Sequence, residues 1–551
     1  MKESENDILN GSIQLLSSLL DEIPTVVNFK GKWSLIRAKL FDLQTQLTDF
    51  SSEFPNYPSN SLSLELLQFI AHTLNEAVSL AKECQSPNLS QGKLKTQSDI
   101  DSVLAKLDRH VKDCEILFRS GVLQDGVISS ASKREAVRSE SRNLITRLQI
   151  GSAESRNSAM DSLLGLLEED DKNVMIAVAQ GVVPVLVRLL DSASPEMKEK
   201  TVAAISRVSM VDSSKHVLIA EGLLLLNQLV RVLDSGSGFA KQKSCIALQA
   251  LSFSKENARA IGSRGGISSL LEICQAGTPG SQASAAGVLR NLSVFPEIRD
   301  NFIEENTIVV LLGLASSGTA LAQENAIGCL SNLISEDESL KLLFAKEGGI
   351  ECLKNFWDSA PAVRSLEVAA ELLSRLASSS PIAEVLVSDG FILRVVGVLN
   401  CGILGVRTAA ARAVYALGMY NTKSRKDMGE CGCMTPLIKM LDGKAVEEKE
   451  AAAKALSVLM LYAGNRKIFR KDERGIASAV QLLDPSIQNL DKKYPVAVLT
   501  SLVHSKKCRK HMVAAGACVY MQKLVEMDVE GAKKLLDSLG SGKIWGVFAR
   551  P

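Results

Sequence analysis

Aromatic side chains, histidines and net charge are all in short supply in this chain, and each shortage removes a class of function. Aromatics make up 4% of 551 residues, which argues against a sheet protein built from β-branched and aromatic side chains. Leucine, alanine and serine dominate instead, and they suit helices packed in small layers. Lys+Arg number 63 against 62 Asp+Glu, so the basic footprint of a nucleic-acid binder is missing and no nucleic-acid partner is expected. No apolar run reaches the length of a membrane span without a charge. The longest, Val387 to Val406, is interrupted by Asp389 and Arg394. The eleven cysteines are odd in number, scattered, and set in apolar helical patterns, which reads as reduced, buried thiols rather than a disulfide framework. The opening MKESENDILN carries neither a signal sequence nor a myristoylation start, and a cytosolic or nuclear location is expected.

Five histidines leave little material for acid–base catalysis, which needs converging groups. His72 and His110 fall in apolar helical patterns near the N-terminus and His216 in a polar phrase, so structural or solvated roles are expected. The densest cluster is HSKKCRKH, where His504, Cys508 and His511 have a spacing that a continuous helix would turn to one side. The periodicity described next places its first residues in a turn, and Lys506, Lys507, Arg509 and Lys510 oppose a metal cation. A solvated edge of the fold is favoured over a phosphate or nuclear-import patch, and that over a metal site. The pair Cys431 and Cys433 has no second pair at zinc spacing. GSGK at Gly540 to Lys543 lacks the leading glycine of a phosphate-binding loop, Asp537 standing in its place. Neither an enzyme nor a cofactor is expected.

What the chain does have is a repeat. A glycine or asparagine opens a short apolar helix at Gly181, Gly222, Gly266, Asn306, Gly349, Gly390, Gly432, Gly475 and Gly516, every 40 to 44 residues. About 26 residues after each opener comes a longer helix with one apolar phase. With Asn291 of VLRNLSVFPEIRDNF as position zero, offsets −6, −3, −2 and +1 give Ala285, Val288, Leu289 and Leu292, then Ala326, Cys329, Leu330 and Leu333, then Ala369, Leu372, Leu373 and Leu376. This is the stripe of an amphipathic helix.

Three helices per unit, a period near 42 and a glycine at a sharp break resemble the armadillo repeat. The resemblance implies an all-α chain: an N-terminal helical bundle over residues 1–121, a linker at 122–138, and a right-handed superhelical solenoid of about ten units over 139–551. Four apolar patterns in the first segment, around Ile8–Leu20, Trp33–Phe50, Leu62–Ala81 and Ile100–Phe118, predict the bundle helices. A helical domain ahead of armadillo repeats, and the ending KKLLDSLGSGKIWGVFARP, are similar to plant proteins related to the U-box ubiquitin ligases. The seventeen residues between bundle and repeats are too few for a U-box, so ligase activity is not implied.

The armadillo resemblance implies a concave face lined by the third helices, with offsets −4 and 0 pointing into it. Importin-α proteins fill these with tryptophan and asparagine, the asparagine pairing with the backbone of an extended peptide. Here offset −4 holds no tryptophan, which disfavours nuclear-transport cargo binding. Offset 0 keeps only Asn291 and Asn332, each with a glycine four residues earlier, Gly287 and Gly328. The expected site is therefore a groove in which Asn291 and Asn332 hold a partner backbone, Gly287 and Gly328 let it approach, and Arg207, Arg375, Arg412 and Lys454 meet its acidic side chains. The expected function is a non-enzymatic scaffold binding protein partners through extended acidic segments. An accessory role in ubiquitin transfer and cargo reception are the alternatives, and the oligomeric state stays open.

Overall fold

Every described element is a helix or a turn in the computed structural model, which describes residues 2–53, 60–123, 133–360 and 362–540. The chain divides into two compact units, residues 1–251 and 252–551. Among the described residues no single helix is long and apolar enough to cross a membrane.

The first unit opens with four helices, Lys2–Glu22, Lys30–Glu53, Ser61–Gln85 and Lys93–Arg119, each containing one of the apolar patterns read from the sequence. The fourth helix starts at Lys93, seven residues before its apolar pattern begins at Ile100. Trp33, Ile36, Leu40, Leu43 and Leu47 line one face of the second helix and are buried, as a 3.6-residue period requires. Asn60 caps the third helix by accepting from the backbone of Leu62 and Ser63. The next helix, Lys133–Ile150, takes up the last six residues of the expected linker. Ile150 shares the bundle core, and Glu65 accepts a hydrogen bond from the Ser152 amide at 3.0 Å. The bundle thus packs directly on the start of the repeats.

From there the three-helix units follow. Sharp breaks separate the first and second helices, 86° between Asp171–Ala179 and Val182–Leu189 and 100° between Asp212–Ala220 and Gly222–Ser235. The dihedral that such a break requires is left-handed: φ is +85° at Gly181, +81° at Gly390 and +88° at Gly516, with Asn306 at +52°. At two junctions the left-handed residue is Gly265 and Gly348, one position before the opener read from the sequence. Gly266 and Gly349 instead face Ile261 and Phe344 so closely that a β-carbon would collide with them. At Gly475 the break is closed by Asp472, whose carboxylate accepts from the Gly475 amide at 2.8 Å.

Third helices stack side by side in order within each unit. In the second unit the row runs through Pro279–Leu292, Ala320–Leu333, Ser365–Leu376, Leu404–Tyr420, Val446–Leu459, Lys493–Thr500 and Ala532–Gly540. The last carbonyls of such a helix have no intrahelical donor, and side chains of the following first helix supply one. Arg425 donates to Gly418 O and Met419 O at 2.7 Å each. Arg466 donates to Met460 O and Leu461 O at 3.0 and 3.1 Å, and Arg509 to Val503 O. Asn173 donates to Leu166 O at 3.1 Å. Asn465, almost wholly buried, bridges Leu459 O and Arg425 O at 2.9 and 2.8 Å.

Two outcomes follow from these contacts. Asn465→Ala removes both bonds and leaves the Leu459 carbonyl with the Tyr462 amide at 3.2 Å, at about 1–3 kcal/mol for the lost pairing, so thermal unfolding should show a clear fall in midpoint with the helical spectrum unchanged at low temperature. His110 is buried in the bundle, with Nε2 2.9 Å from Thr73 Oγ1; burial, aided by Arg109 and Lys106, lowers its pKa to about 4. A group whose folded pKa lies below its unfolded one near 6.5 contributes stability that is complete above pH 6.5 and lost as pH falls toward 4. Chemical denaturation between pH 7 and 4 should show this loss, and a His110→Leu variant should show a flatter profile.

Candidate protein-binding face

Helix Pro279–Leu292 begins where Thr278 accepts a hydrogen bond from the Ser281 amide, with proline in its first turn. Thr319 does the same for Ala322 at the start of Ala320–Leu333. The stripe residues Ala285, Val288, Leu289 and Leu292 are fully buried, as are Ala326, Cys329 and Leu330. This phase leaves Asn291 and Asn332 half-buried at the edge of their helices, on the seam with the neighbouring third helix.

Both asparagines are used inside the chain. Asn291 Nδ2 donates to Ser252 Oγ at 2.9 Å. Asn332 Nδ2 donates to Arg290 O at 3.3 Å and Ser293 Oγ at 3.0 Å. Its Oδ1 accepts from Arg375 Nη1 at 3.2 Å, and the same nitrogen donates to Ser331 O at 2.6 Å. Two predicted site residues, Asn332 and Arg375, are thus in direct contact. They brace three successive third helices, and pairing with a partner backbone would require breaking these bonds.

The glycines also differ from the expectation. Gly287 and Gly328 are buried, and Gly328 is covered by Arg290 of the preceding repeat, whose Nε would lie 2.5 Å from a β-carbon there. The space that glycine opens is taken by this arginine on its way to Asn325 Oδ1 at 3.4 Å and Glu324 at 4.0 Å. Partner access at Gly328 is therefore corrected to an internal close approach.

The cations divide into engaged and available ones. Arg207, in the first unit, is paired with Asp171 at 2.6 Å. Arg375 is half-buried, and that burial, with Arg412 nearby, depresses its pKa. Arg412 is exposed, and no ion pair to it is found among the described residues. Lys454 sits with Nζ 4.6 Å from the Tyr415 ring centre and 5.5 Å from that of Tyr494. The two rings meet edge-on at 6.3 Å. Tyr415 lies one turn beyond Arg412 on the same helix, so both share a face. Arg290, Tyr415 and Tyr494 escaped sequence reasoning. Tyr415, adjacent to position zero, was the legible signal in a chain with six tyrosines.

Within HSKKCRKH, two of the four basic residues, Lys507 and Arg509, are engaged inside the chain. Its helix runs Lys506–Ala514, Ser505 caps it, and Cys508 is buried. Lys507 pairs with Glu473 at 2.8 Å, and His511 lies 3.8 Å from the same carboxylate. No group of three His, Cys, Asp or Glu side chains gathers at metal-binding distance among the described residues. At the other cysteine pair, Cys431 is exposed and Cys433 buried, with burial pushing the Cys433 thiol up to about 12.

Residues 10–122 match the family described as a domain of unknown function, DUF7032, and residues 170–210 match the armadillo/beta-catenin-like repeat. No curated protein matches the chain in sequence. Among solved structures, an engineered protein from a structural genomics consortium aligns with TM-score 0.61 at 23% identity, covering 73% of this chain and 99% of its own. A designed armadillo repeat protein aligns with TM-score 0.38 at 20% identity over 42% of this chain and 98% of its own. The chain thus has an all-α repeat fold in which residues 10–122 are similar to the DUF7032 domain and residues 170–210 to the armadillo/beta-catenin-like repeat.

Proposed function

We propose that this protein is a non-enzymatic scaffold whose third-helix face, in the stretch around Arg412 and Lys454, binds extended acidic segments of protein partners. The observation that carries this reading is the contrast along the row: Asn291, Asn332, Arg290 and Arg375 are tied to neighbouring repeats, whereas Arg412 is exposed without an ion pair among the described residues and Lys454 stands between two tyrosine rings. A carboxylate arriving there meets two cations, and the rings add flat apolar surface beside them. Armadillo-type folds are generally protein-binding, which supports the same reading. Free cysteines throughout support a reducing compartment, the cytosol or nucleus.

Magnitudes set the partner's length. Exposed ion pairs contribute about 0–1 kcal/mol each, and micromolar affinity needs about 8 kcal/mol. A partner must therefore run across several repeats. The asparagines contribute to this face by holding its helices in register.

Fluorescence anisotropy with a labelled extended peptide of alternating glutamate and leucine checks the proposal. The intact protein should bind it with an affinity that weakens as salt rises, and Arg412→Glu with Lys454→Glu should weaken binding by about tenfold or more, some 1.4 kcal/mol. Unchanged affinity in the double variant sinks the reading.

A further inference from the structure

A second binding element stands in the first unit, away from the third-helix row. Helices Lys133–Ile150 and Asp171–Ala179 flank an open cleft of about 660 Å³. Its floor is apolar: Val137 from one helix, and Met175, Ile176 and Ala179 from the other. Met175 is 42% exposed, a large apolar side chain left to solvent in a fold that buries most of its kind. Residues 172, 175, 176 and 179 fall at the i, i+3, i+4, i+7 spacing of one helical face, so the exposed stripe is continuous.

The ends of the cleft are basic. Lys133 and Arg134 open one helix and Lys172 the other, all exposed, and none has an ion pair among the described residues. Each stands in a first helical turn. Arg138 is already answered by Glu135 at 3.0 Å. Asp170, the acidic residue of the lining, is spent as a helix cap on the Lys172 amide at 3.0 Å. The Asp170 carboxylate keeps its charge, so the four cations Lys133, Arg134, Arg138 and Lys172 against Asp170 and Glu135 leave an excess of two positive charges around an apolar floor, a pattern that suits a helix with one apolar and one acidic side.

We propose that this cleft docks an amphipathic acidic helix of a partner protein, its apolar side chains on Met175, Ile176 and Val137 and its carboxylates on Lys133, Arg134 and Lys172. The mode is helix-in-groove recognition, distinct from the extended binding proposed for the third-helix row.

The test uses the full chain and a fluorescein-labelled synthetic helical peptide with leucines at i, i+4 and i+7 and glutamates on its flanks. Binding should be measurable by anisotropy, weaken with salt, and fall about tenfold or more in Met175→Asp and in Arg134→Glu with Lys172→Glu, while Lys454→Glu leaves it unchanged. These side chains are exposed, so thermal midpoints should stay near that of the parent. A photo-crosslinking residue placed at Met175 should capture the peptide. Equal binding of a peptide with lysines in place of the glutamates overturns the proposal, as does unaltered affinity in the two cleft variants or capture at positions other than the cleft.

Discussion

Most of this architecture hangs on one requirement: the carbonyls at the end of each third helix must find donors after the helix has run out of its own. Several of those groups are part-buried among neighbours, and leaving a buried one unpaired costs as much as the hydrogen bond it forgoes. The donors come from outside the helix. Arg425, Arg466 and Arg509 reach back from the following first helix, and Asn332 and Arg375 reach across from the next third helix. Apolar stacking pulls units together without fixing their register; these directional bonds fix it. Each unit is completed by its neighbour, which is the physical meaning of a quasi-one-dimensional fold.

The same requirement constrains function. A side chain that braces two helices is not free to hold a ligand, and the residues most reminiscent of a peptide-binding ladder are the ones so employed. Glycine takes part in this economy of space. Gly328 has no side chain because Arg290 lies across it, and Gly429 has none because Asn465 does. In both places a small residue on one helix makes room for a polar one from the adjacent unit. The two binding sites proposed above fall where internal bonding is thin, around Arg412 and the Tyr415, Lys454 and Tyr494 cluster, and at the cleft beside Met175.

Much of the fold was legible because it is written in short-range periodicity. The stripe from Ala285 to Leu292 and its copies marks the third helices, and the glycine openers mark the breaks. The errors were single-residue and physically instructive. Gly265 with Gly266, and Gly348 with Gly349, are adjacent pairs in which one glycine supplies a left-handed dihedral and the other clears a neighbouring Ile261 or Phe344. Spacing alone cannot distinguish a need for backbone freedom from a need for room. The site was legible only as a face. Asn332, Arg375 and Arg412 lie on the third helices as expected, but the hydrogen-bond partners of Asn332 and Arg375 lie a whole repeat away along the chain.

The sequence by itself determined the class of structure, the length of its unit, the phase of its buried stripes and the poverty of its catalytic groups, because these depend on local periodicity and composition. Tertiary structure alone decided which polar atoms are spent and which remain. A hydrogen bond is settled by distances of a few tenths of an ångström between residues some forty positions apart, and no spacing rule carries that information. Asn291 and Asn332 therefore look alike in sequence to binding residues, and in the folded chain they serve as fastenings between repeats.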